Sequence, residues 1–86
     1  MPSASTCFQR AVTKSAPRET RREAIRELGR LDAVRQLKTI TRTNGLHGVF
    51  RRDAVAELEA LGATDALETI AADRAVDPAI RKQARR

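Results

Sequence analysis

The residues of this chain with the greatest chemical reach are its arginines, 14 of 17 basic residues. A guanidinium group is always charged and presents a planar fork that matches carboxylate or phosphate. Arg18, Arg22, Arg26 and Arg30 follow one another at i, i+4 spacing, which places them in a single row on a helix, with Glu19, Glu23 and Glu27 running beside them and offsetting their mutual repulsion. Together with Arg52 and Lys82 they form a candidate anion- or nucleic-acid-contacting face. A second pattern overlaps the first. The quartet RREA at 21–24 returns as RRDA at 51–54 and RKQA at 81–84, each copy thirty residues after the last. On a helical wheel Arg21 falls within the face made by Ala24, Ile25, Leu28 and Leu31, while Arg22 lies opposite. The leading residues Arg21, Arg51 and Arg81 are therefore expected to point at neighbouring helices, where a charge needs a partner. Asp32, Asp65 and Asp77 are the candidate partners, giving an Arg–Asp ladder that ties helices together.

Other chemistry is hard to assemble. His47 is the only histidine and sits in a glycine-flanked loop, and Cys7 is the only cysteine, forty residues away, so neither a metal cluster nor a nucleophile–base pair is expected. No phosphate-binding glycine pattern is present, and the acidic positions Glu57, Glu59, Glu68 and Asp73 read as solvated helix faces. No catalytic residue and no cofactor are expected. A lone Cys7 without a disulfide partner fits a reducing, cytoplasmic setting, and no apolar run is long enough for a membrane span. The formal charge of +6 and pI near 11.0 favour attraction to a phosphate backbone. The absence of Trp and Tyr removes most base-stacking platforms. The charge is also uneven: residues 1–31 carry +4, 32–48 +2, 49–76 −3 and 77–86 +3.

The elements that must position these residues are helices. Ile25, Leu28, Leu31, Val34, Leu37 and Ile40 recur every third position, and at about 100° per residue such a stripe would wind around one long helix. A break at Gly29–Asp32 resolves this, with Asp32 expected to cap a second helix. In the next copy LGATD does the same, Asp65 and Glu68 having capping-box-like spacing. This alignment treats GAT at 62–64 as an insertion. Asp77 and Pro78 open a last helix, and an N-terminal helix is expected over roughly 4–15 with Phe8 and Val12 facing inward.

The stretches FRRDAVAELEALGATDALETI and VDPAIRKQA resemble the HEAT-like repeats first associated with bilin (phycobilisome) lyase subunits, over residues 18–86. The resemblance implies an all-α fold, a short α-solenoid of about 2.5 HEAT-like helix pairs with five to six helices. Its parts would be an N-terminal cap at 1–17, repeats at 18–48 and 49–76, and a half-repeat at 77–86. The second helix of each pair would line a concave face, offering Arg35, Lys38 and Arg42 from one repeat and Glu68, Thr69 and Asp73 from the next. Such architectures commonly serve as scaffolds. The expected function is a non-catalytic module binding another protein, with membership of a larger complex left open by the sequence. A nucleic-acid-backbone component of a ribonucleoprotein is the alternative, and a bilin-lyase-like subunit is the second alternative.

Overall fold

In the computed structural model, which describes residues 3–85, water is excluded from Arg21, Ala24, Ile25, Leu28 and Gly29, a spacing that is one face of a helix. The same apolar logic yields six helices and no strand among the described residues: α1 Ala4–Val12, α2 Arg18–Arg30, α3 Val34–Arg42, α4 Gly48–Ala60, α5 Thr64–Ala72 and α6 Pro78–Ala84. Helices α2, α4 and α6 pack in one row, α1, α3 and α5 in a second, and each odd helix packs most extensively on the even helix that follows it. The molecule measures 32 × 23 × 16 Å. Its core is aliphatic, centred on Ile25, Leu28, Leu37, Ile40, Val55, Leu58, Ile70 and Ile80, with Phe50 the one aromatic fully inside.

The odd helices are nine residues long and start at 4, 34 and 64; the even ones start at 18, 48 and 78, so each start recurs after thirty residues. Thr64 opens α5 as Val34 opens α3, and no insertion at 62–64 is needed. The strongest helix pairings are α1/α2, α3/α4 and α5/α6, and the three-residue connections 31–33 and 61–63 separate them.

The turns explain the recurrence. Asp32 is not an N-cap: it has φ +56°, and Gly62 has φ +66° at the corresponding place. Asp32 N–H donates to Gly29 C=O and Ala33 N–H to Leu28 C=O, while Gly62 N–H donates to Glu59 C=O and Ala63 N–H to Leu58 C=O. This left-handed closure satisfies orphan carbonyls at the helix end. Ala33 and Ala63 must then serve both as the residue tucked against the ended helix and as the N-cap of the next, so α3 and α5 start without a side-chain cap. Asp65 consequently lies inside the first turn of α5 and does not cap it. Asp77 does cap α6, its carboxylate accepting from Ala79 N–H at 2.9 Å with Pro78 at the first helical position. His47 holds the equivalent place on α4, its Nδ1 accepting from Val49 N–H at 3.2 Å, and Pro17 holds it on α2.

Helix α1 ends at Val12, earlier than residue 15, and buries Cys7 and Ala11 completely, while Phe8 and Val12 are partly buried beside them. The outer side of the α1/α2 pair is polar where the later pairs are apolar. Arg10 and Thr20 are exposed, whereas Ile40 and Ile70, Phe50 and Ile80 at the corresponding positions are buried.

Candidate protein-binding face

Arg21 occupies the interior as its wheel position implies, 8% exposed, but its partner is not an aspartate. Its Nε donates to the backbone carbonyl of Ala11 at 2.9 Å, and its guanidinium carbon lies 4.0 Å from the centre of the Phe50 ring. One side chain thus closes the C-terminal end of α1, where carbonyls lack intrahelical partners, and makes a cation–π contact with α4. Arg51 and Arg81 are half-buried, and each keeps a buried Nε without a hydrogen-bond partner. No ion pair among the described residues involves Arg21, Arg51 or Arg81. Asp32 and Asp65 are exposed and Asp77 is a helix cap, so the expected ladder does not form at these positions.

Cross-links form one residue further along. Arg22 grips Asp53 with two hydrogen bonds, Nε at 2.7 Å and Nη2 at 3.2 Å, joining α2 to α4. Gln83 of α6 donates to the backbone carbonyl of Arg52 at 3.2 Å, joining α6 to α4. Arg26 and Arg30 are engaged within their own helix. Arg26 holds Glu23 at 2.9 Å, and Arg30 holds Glu23 and Glu27, each at 2.8 Å. The Asp53 hydrogen bond and charge raise the Arg22 pKa above its ordinary value. Hydrogen bonds from Arg30 and then Arg26 hold the Glu23 carboxyl below the usual range. Glu57 behaves oppositely: burial pushes its pKa up, against the pull of Arg26 and Arg30. It lies over Gly29, where a Cβ would overlap its carboxylate, so the glycine leaves the space that the Glu57 side chain fills between α2 and α4. Of the candidate anion contacts, Arg18, Arg52 and Lys82 are exposed and make no ion pair among the described residues.

The α3/α5 surface is arranged differently. At its C-terminal edge Arg42 Nε meets Asp73 at 2.7 Å, and Asn44 donates to Ala75 C=O at 2.9 Å, fixing the two helices side by side. The Ala75 N–H and then Arg42 hold the Asp73 carboxyl below its ordinary value. Toward the N-terminal edge Arg35, Asp65, Glu68 and Thr69 are exposed and Lys38 is half-buried. Arg35, Lys38, Asp65 and Glu68 make no ion pair among the described residues. Arg35 and Asp65 occupy the same position in successive odd helices, as do Lys38 and Glu68.

Asp53, Asn44 and Gln83 were not singled out by sequence reasoning, and Glu57, read there as a solvated position, is partly buried; an uninterrupted thirty-residue register, which places position 22 opposite 53 and 52 opposite 83, is the signal that finds the first and third. No group of three or more His, Cys, Asp or Glu residues among those described can hold a metal ion, and no described helix is long and apolar enough to cross a membrane. No protein-family model, curated protein or solved structure matches the chain.

Proposed function

We propose that this chain is a short α-solenoid of HEAT-like helix pairs that works as a non-catalytic module binding another protein, with the partner seated on the exposed residues of α3 and α5. The recurrence of helix starts, left-handed closures and caps every thirty residues supports the solenoid, as does the polar outer side of the α1/α2 pair, since the end of a stack needs a surface that water tolerates. The observation that carries the functional reading is the contrast in charge pairing. Arg22, Arg26 and Arg30 of α2 already hold carboxylates, whereas Arg35, Lys38, Asp65 and Glu68 present uncompensated charge of both signs on adjacent helices. A partner with complementary charges gains specificity and association rate from such a surface. Binding to a nucleic-acid backbone is the second reading, favoured by the exposed Arg18, Arg52 and Lys82 on the other row.

A photo-crosslinking residue placed at Thr69, on the α3/α5 face, or at Ala56, exposed on α4, separates the two in cell extract. The protein-binding reading expects a discrete protein adduct from Thr69 that survives nuclease. An adduct formed only from Ala56 and destroyed by nuclease overturns it.

A further inference from the structure

Resting on the reading of α3 and α5 as the working face, we infer that this face binds a second copy of the same chain, forming a two-fold symmetric dimer. Arg35, Lys38 and Arg42 project from α3, and Asp65, Glu68 and Asp73 stand at α5 and its C-terminal end. With Arg42 and Asp73 engaged with each other, two cations, Arg35 and Lys38, thus stand unpaired on one helix and two carboxylates, Asp65 and Glu68, on its neighbour among the described residues. The Arg42–Asp73 and Asn44–Ala75 links hold the two helices side by side, and the thirty-residue recurrence sets Arg35 level with Asp65 and Lys38 level with Glu68.

A two-fold axis running parallel to α3 and α5, midway between them and just outside the surface, carries α3 of one copy over α5 of the other. Arg35 then meets the other copy's Asp65 and Lys38 meets its Glu68, and the symmetry makes each contact twice. An isologous interface requires this property, that residue i fits j while j fits i. A heterologous partner is not required to match the surface in this way. Arg85 shares a hollow with Glu68 on the side toward α6 and Arg42 already holds Asp73, while Asp65 makes no ion pair among the described residues. Few apolar side chains lie on the face, Val34 and Leu67 being half-buried, so the association is weak and sensitive to salt.

The test uses two complementary full-length variants. Arg35→Asp with Lys38→Glu makes both helices acidic; Asp65→Arg with Glu68→Lys makes both basic. Sedimentation velocity from about 10 µM to about 1 mM at low salt should show the native chain passing from monomer to dimer, as a weak complex does. Each variant alone should stay monomeric, with an unchanged helical circular dichroism spectrum, and an equimolar mixture of the two should regain the dimer. As a control for nonspecific attraction, Arg52→Glu with Lys82→Glu lies on the opposite row and leaves the face intact, so this variant should dimerise with itself as the native chain does and form no mixed dimer with the basic variant, whose α5 repels its α3. A native chain that remains monomeric throughout, a dimer that both variants retain, or a mixture that fails to associate overturns the dimer. The protein-binding reading survives that failure if Thr69 still crosslinks to a different protein, and falls with it only if Thr69 yields no adduct.

Discussion

On α2, Arg22, Arg26 and Arg30 each hold a carboxylate within 2.9 Å, whereas on α3 Arg42 alone does and Arg35 and Lys38 make no ion pair among the described residues. The two helices look alike in sequence, both basic and both amphipathic. Their difference lies in what surrounds them: α2 carries Glu23 and Glu27 beside its arginines and faces Asp53 across the row, while α3 has no acidic residue of its own and faces Asp65 and Glu68 at a distance. Net charge therefore says little about where a partner sits. Charge that the fold leaves unpaired is the more informative quantity, because surface pairs already formed contribute little and have little left to offer.

The largest effect should come from the one arginine that is truly interior. Arg21→Ala removes the hydrogen bond to Ala11 and the contact with Phe50, and a urea melt should show a loss of about 2–3 kcal/mol. Arg51→Ala, whose buried Nε has no acceptor to lose, should cost about half that or less, within the range of ordinary substitutions. Equal losses would erase the distinction between them.

The paired closures at 32 and 62 sharpen the comparison between successive helix pairs. Gly62→Ala should destabilise by about 1 kcal/mol and Asp32→Gly should stabilise by about 0.5–1 kcal/mol, since both positions have positive φ and only Gly62 is suited to it. Opposite signs in thermal melts are expected; the same sign at both would contradict the shared geometry.

Acid titration of stability distinguishes the carboxylates of the α2/α4 row. Glu23, with its folded pKa lowered, contributes stability that is present above the ordinary carboxylate pKa and lost as pH falls through the folded value. Glu57 has a raised folded pKa, so the native state binds its proton more tightly and stability declines as pH climbs from the ordinary value through the raised one. Glu57→Gln should flatten that decline while leaving the acid-side loss intact, measured by denaturant melts across the acidic range. A steeper decline in the variant would put the sign of the Glu57 effect in doubt.

The smallest effect on stability and the largest on binding belong to α3. Arg35→Asp with Lys38→Glu should change stability by less than about 0.5 kcal/mol, as for surface sites. The same pair of changes should abolish association through the face. A large loss of stability would mean that these residues support the fold.

Much of the helical content was legible because apolar spacing and the break before Asp32 are local signals. The caps were legible only where the capping residue has a single role. Asp77 with Pro78 reads correctly, while Asp32 misleads because aspartate favours both N-caps and, less often, left-handed closures, and only the backbone reveals which it adopts. The wheel placed Arg21 inside but could not name its partner, since the acceptor is a backbone carbonyl that the sequence does not distinguish from any other. The α3/α5 residues were legible as carrying charges of both signs; that Arg42 and Asp73 pair while Arg35, Lys38 and Glu68 do not was not legible, because it depends on distances between helices.

Heteronuclear NMR on the isotope-labelled chain tests the division between the two faces most directly, by mapping amide shifts as the chain is concentrated and, separately, as a short DNA duplex is added at physiological salt. The account predicts concentration-dependent shifts confined to α3 and α5, strongest around Arg35, Lys38, Asp65 and Glu68, and no saturable shifts with duplex. Saturable shifts along Arg18, Arg22, Arg26 and Arg30 on adding duplex, with α3 and α5 silent in both titrations, would contradict it.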